Sequence, residues 1–111
     1  MKKNTLLSIV IITGFILLTN KNAFCQTSFV HGNIVNANSY LGIPGLTVYL
    51  VHPIIGRSYP SITNEYGYFS FSNVPLRNDY YYVEIYWGNT LIYSNYTLIN
   101  QFEVNLPTLR L

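Results

Sequence analysis

Beyond position 25 the 111-residue chain contains no cysteine and no lysine. The missing thiol excludes disulfides, thiolate metal sites and cysteine nucleophiles from that part, so its stability must come from a packed core. Charge is scarce as well, at 9% of the whole sequence. Residues 26–111 hold Arg57, Arg77 and Arg110 against Glu65, Asp79, Glu84 and Glu103, one negative charge net. A stretch without a basic face lacks the groups that neutralise phosphate, which excludes nucleic acid as a partner. No paired histidine spacing and no Asp-rich loop suggests a metal, and no cofactor is expected. Apolar residues rarely recur at i, i+3, i+4 and i+7, so no helix is expected either.

The only cysteine, Cys25, and all three lysines (Lys2, Lys3, Lys21) lie in the first 25 residues. That segment opens on Met1-Lys2-Lys3, runs apolar from Leu6 to Leu18, and turns polar before Ala23-Phe24-Cys25-Gln26. This is the layout of a secretory signal peptide. Its apolar run of about 13 residues falls short of the roughly 20 that cross a bilayer as a helix. Cleavage after Cys25 puts small residues, Ala23 and Cys25, at the minus-3 and minus-1 positions. Residues 1–25 are then a signal peptide and residues 26–111 one domain. The product is secreted, periplasmic or held at the cell surface, with no membrane span once the leader is gone. Two other readings stay open: lipidation of Cys25 as in bacterial lipoproteins, where bulky Phe24 occupies a place usually small, and a permanent anchor.

What the rest does contain is aromatic and β-branched side chains in alternation. Period two, with turn residues at regular intervals, predicts an all-β chain. Seven strands are expected, at 29–35, 46–51, 59–63, 68–71, 80–87, 90–97 and 102–106. Their inward sets are Val30, Gly32 and Ile34; Leu46, Val48 and Leu50; Phe69 and Phe71; Tyr81, Val83, Ile85 and Trp87; and Phe102, Val104 and Leu106. Gly67 closes a tight turn after Asn64, Gly88-Asn89 suits a two-residue hairpin with glycine first, and Asn73-Val74-Pro75 is expected to break the ladder. Seven short strands in one small domain predict an antiparallel Greek-key sandwich.

Several of these pieces also carry a family likeness. Val30-His31-Gly32-Asn33-Ile34-Val35, Ile43-Pro44-Gly45-Leu46-Thr47-Val48, Thr63-Asn64-Glu65-Tyr66-Gly67-Tyr68-Phe69-Ser70-Phe71, then Asn73-Val74-Pro75 and Tyr81, Val83, Ile85 resemble the carboxypeptidase regulatory-like domain. The likeness covers most of residues 28–106. It implies a transthyretin-like (prealbumin-like) sandwich with structural, accessory or binding roles and no catalysis. The chain departs from that family at Leu76-Arg77-Asn78-Asp79, where the family usually has a glycine. The same fold includes 5-hydroxyisourate hydrolases, but their Tyr-Arg-Gly-Ser signature is absent and the last residues read Pro107-Thr108-Leu109-Arg110-Leu111. Lys–Asn isopeptide cross-links, found in related pilin and adhesin sandwiches, need a lysine amine that residues 26–111 lack.

His31, outward on the first strand, and His52, which starts a loop before Pro53, are read as exposed or edge histidines, because no nucleophile elbow accompanies them. Asn95-Tyr96-Thr97 matches a glycosylation sequon, a coincidence behind a bacterial-looking leader. The eleven tyrosines are the most unusual feature. Tyr49, Tyr80, Tyr82, Tyr86 and Tyr93 are the candidate binding surface, facing outward to grip a protein or stack on sugars. The competing reading makes them ordinary cross-strand pairs, and a one-residue slip at Gly88-Asn89 would turn Leu91 and Tyr93 inward. The expected function is a secreted, non-catalytic accessory or protein-binding module of the bacterial envelope. The alternative is a carbohydrate-binding module using exposed tyrosines. The partner is an envelope protein or glycan, and the lysine-free strand edges predict weak self-association.

Overall fold

The computed structural model describes residues 26–111. The expected leader, with cleavage or lipidation at Cys25, lies outside the described residues. Nine strands follow in chain order: β1 (Thr27–Val35), β2 (Thr47–His52), β3 (Gly56–Arg57), β4 (Ser61–Ile62), β5 (Tyr68–Pro75), β6 (Asp79–Trp87), β7 (Thr90–Ile99), β8 (Glu103–Asn105) and β9 (Leu109–Arg110). The architecture is the expected all-β sandwich. One sheet runs β5-β1-β8, with β9 also on β1; the other runs β3-β2-β6-β7, with β4 also on β2. The pairs β1–β5, β2–β3, β2–β4, β2–β6 and β6–β7 are antiparallel, whereas β8 and β9 lie parallel to β1. The expected strand at 59–63 is reduced to two residues, and β3, β8 and β9 are short additions or trims at sheet margins.

Alternation does what the sequence implies. Val30 and Ile34 of β1, Val48 and Leu50 of β2, Phe69 and Phe71 of β5, and Tyr81, Val83 and Ile85 of β6 all face one shared interior. Phe69 and Phe71 meet edge to face, with centroids 6.1 Å apart. Gly32 is glycine because a Cβ there would press on the Phe69 ring at 2.9 Å.

The motif Thr63 to Gly67 holds the sandwich together where the chain enters β2. Thr63 is buried; its Oγ1 donates to the Ile43 carbonyl (2.7 Å) and accepts from the Leu46 N–H (2.9 Å). Asn64 Oδ1 accepts from the N–H groups of Tyr66 and Tyr68, closing the turn. Gly67 adopts φ +74°, and a Cβ there would overlap the Ile34 carbonyl oxygen. These residues build the fold rather than a site.

Four expectations need correction. Asn73-Val74-Pro75 does not end the ladder: Val74 and Pro75 still pair with Ser28 and Thr27. Asn73, at φ 59°, is part of a one-residue bulge that flips the side-chain parity, so Val74 points inward after Phe71. Trp87 is 60% exposed rather than inward, because it sits at the hairpin tip beside Gly88. Phe102 is 66% exposed; its carbonyl accepts from the Phe29 N–H just before β8 begins, and its ring is left outside. His52 is not a loop residue but the last, buried residue of β2. At the departure from the family pattern, Asn78 takes φ 54°, the left-handed conformation a glycine would supply.

Candidate binding surface

The outer face of the second sheet is where the tyrosines collect. Because β2 presents Thr47, Tyr49 and Val51 outward and β6 presents Tyr80, Tyr82, Glu84 and Tyr86, the register sets Tyr49 beside Glu84 and Thr47 beside Tyr86. On the other side of β6, Tyr80 lies beside Leu98, Tyr82 beside Tyr96 and Glu84 beside Ser94. The rings interlock: Tyr96 meets Tyr80 at 5.5 Å and Tyr82 at 6.1 Å, both near perpendicular. At the other end Tyr49 meets Tyr86 edge to face at 5.7 Å, and the Arg57 guanidinium lies 4.2 Å over the Tyr49 ring. Exposure separates the two groups. Tyr80, Tyr82 and Tyr96 remain 52, 44 and 61% exposed, whereas Tyr49 and Tyr86 are half-buried. Burial, and then the Glu84 carboxylate that accepts from the Tyr86 hydroxyl at 3.2 Å, push the Tyr86 phenol above its ordinary value.

Four of the five candidate tyrosines are therefore brought together. Tyr93 is not. It pairs with Ile85 and packs against the core, because Tyr86 pairs with Leu91 and the register shifts at this point, leaving Ile92 as an extra residue. The bulge turns Tyr93 inward, as a hairpin slip would have, but leaves Leu91 exposed. Tyr93 instead lines a cleft of about 240 Å³ between β7 and the segment 106–109, with Phe69 and Val83 on its floor. Tyr96, Glu84 and Arg57 belong to the surface and were missed. Counting by twos from Tyr82 would have supplied Glu84, whereas Tyr96 depends on cross-strand register that the sequence conceals behind the Ile92 bulge.

The histidines occupy two different settings. His31 lies on the outer face of the first sheet, 2.9 Å from Glu103 Oε2 and stacked on Phe29 at 5.0 Å. His52 is only 2% exposed, and both its nitrogens are engaged. Nδ1 accepts from the N–H groups of Ile54 and Ile55 (3.0 and 3.3 Å), which makes Nε2 the protonated nitrogen that donates to Asp79 (3.0 Å). The ring thus ties the β2–β3 turn to the start of β6 and has no lone pair left for a substrate proton. The His52 hydrogen bond, aided by the Tyr80 N–H, holds the Asp79 carboxyl below its ordinary 3.8. His52 also packs at 5.0 Å on Tyr81, whose phenol is pushed above its ordinary value by burial while its hydroxyl donates to the Pro75 carbonyl.

Among the described residues no three His, Cys, Asp or Glu side chains gather as a metal site, and no helix is long and apolar enough to cross a membrane. A second cleft, about 330 Å³, opens between the β3–β4 arm and β5 and is lined by Arg57, Tyr59, Phe71, Asn73 and Tyr81.

No protein-family model and no curated protein matches the chain. Solved structures do. The major pilin subunit of Bacillus cereus superposes with a TM-score of 0.60 at 15% identity over 77% of this chain. The chain spans 30% of that pilin's length. The 5-hydroxyisourate hydrolase of Klebsiella pneumoniae superposes with a TM-score of 0.54 at 20% identity, over 79% of this chain and 91% of the hydrolase. The fold is a transthyretin-like β-sandwich. At such identities the likeness carries architecture alone, so a function has to be argued from the surface.

Proposed function

We propose that the chain is a secreted, non-catalytic accessory module of the bacterial envelope, of the carboxypeptidase regulatory-like kind, that binds a protein partner through the outer face of β2, β6 and β7. The observation that carries this reading is the interlocked, exposed cluster of Tyr80, Tyr82 and Tyr96. Tyrosine gives large contact area at small entropic cost, and with arginine and tryptophan it dominates interface hot spots. Rings already fixed by one another lose little further freedom on docking. The pilin likeness supports the setting, since there a sandwich of this fold forms part of a larger surface subunit. The carbohydrate reading ranks second because stacking on a sugar requires open ring faces, and here near-perpendicular packing turns ring edges onto neighbouring faces.

A photo-crosslinking amino acid at Tyr96 should yield a discrete protein adduct in intact cells, and the same probe at Tyr66 should not. The adduct should vanish when Tyr82→Ala is added. Equal labelling from both positions, or glycan-array binding that disappears in Tyr82→Ala, would overturn the proposal.

A further inference from the structure

We infer that the tyrosine face is built to receive a positively charged side chain, an arginine or lysine, from its protein partner, with Glu84 as the counter-charge. This rests on the protein-binding reading above and adds the chemistry of the partner.

Glu84 sits in the middle of the face. Tyr49 flanks it across β2, Ser94 across β7, and Tyr82 and Tyr86 stand two residues away along β6. It is half-buried, and the Tyr86 hydroxyl is the side-chain donor it receives within the domain. A carboxylate offers about four acceptor positions, so most of its capacity faces outward. Among the described residues the side-chain contacts between a basic and an acidic residue are His31 with Glu103 and His52 with Asp79; neither includes Glu84. Arg57, the nearest candidate within the domain, spends its guanidinium over the Tyr49 ring instead. That contact also shows that a tyrosine of this face accepts a guanidinium.

Charge complementarity then selects the occupant. A purely apolar partner would cover Glu84 and strand a carboxylate away from water, which is strongly unfavourable. An acidic partner would be repelled. A cation gains from the carboxylate, and its aliphatic stem can rest against the neighbouring rings.

The test pans a random dodecapeptide phage library on the purified full chain. Peptides that lose binding to the Tyr82→Ala variant should carry an arginine or lysine between apolar residues. Their affinity should fall roughly tenfold on Glu84→Gln, and fall likewise when the basic residue of the synthetic peptide is replaced by a neutral isostere, citrulline for arginine. The two changes together should cost no more than either alone. Glu84→Gln keeps an acceptor for the Tyr86 hydroxyl; if that variant fails to fold, the neutral-isostere exchange reads the same charge pair. Face-binding peptides without a basic residue, or with affinity unchanged in Glu84→Gln, overturn the inference and leave the protein-binding reading standing. Recovery only of peptides indifferent to Tyr82→Ala, or of none, counts against both.

Discussion

Thr63→Val tests how the entrance to β2 is held. Valine matches threonine in shape but removes a hydroxyl that donates to Ile43 and accepts from Leu46. Leu46 is 1% exposed, so water cannot replace the lost acceptor for its N–H. An orphaned buried donor costs about 1–3 kcal/mol, and the donor withdrawn from the Ile43 carbonyl adds about 1. The total, about 2–4 kcal/mol, is a large share of the 5–15 kcal/mol typical of a domain. Thr63→Ser is the control: it keeps both bonds and loses one methyl, about 0.8 kcal/mol. Guanidinium unfolding followed by far-UV circular dichroism, with equal m-values, measures both. If Thr63→Val loses no more than about 0.5 kcal/mol beyond Thr63→Ser, the hydroxyl does not bridge those strands.

Other outcomes follow from the same geometry. Phe71→Ala should cost about 3–5 kcal/mol, since the ring is buried against Phe69; a loss under about 1 kcal/mol would put it outside the core. The folded-state pKa of Asp79 lies below 3.8, so as pH falls past that value the unfolded chain takes up the proton first. Stability should be level above it and decline below it, and Asp79→Asn should flatten that part of the acid limb in a pH series of melts. The Tyr81 phenol, raised above 10.0, acts at the other end: the unfolded chain ionises first there, so stability should drop as pH climbs through and beyond 10, and less in Tyr81→Phe. The ten-residue edge strand β7 carries neither charge nor proline, so sedimentation velocity should show weak, concentration-dependent association that Ser94→Lys suppresses. A monomer at every concentration would refute it.

The sequence made the sandwich legible because burial on one face leaves a period-two signature, and Val30, Ile34, Val48, Phe69, Val83 and Ile85 follow it without exception. It failed wherever one residue changed the count. Asn73 and Ile92 each shift parity at a bulge, which hid the inward turns of Val74 and Tyr93. His52 was misplaced for a simpler reason. Its position continues the inward series Val48, Leu50, but a polar side chain followed by proline reads as loop, and the partners that satisfy it inside lie at Ile54, Ile55 and Asp79. The tyrosine face was legible in part: Tyr49, Tyr80, Tyr82 and Tyr86 share one parity on adjacent strands, while Tyr96 required knowing the register of the hairpin.

The parallel pairing of β8 with β1 has a kinetic side. Phe29 lies opposite Glu103, so the strand at the heart of the first sheet gains its second neighbour only after nearly the whole domain has been delivered. A nascent chain would hold β1 with one flank bare, and the β5–β1 pair alone would be a marginal ribbon. Such long-range closure slows folding. It also makes acquisition of the native state close to a single event, timed by the arrival of the final strands.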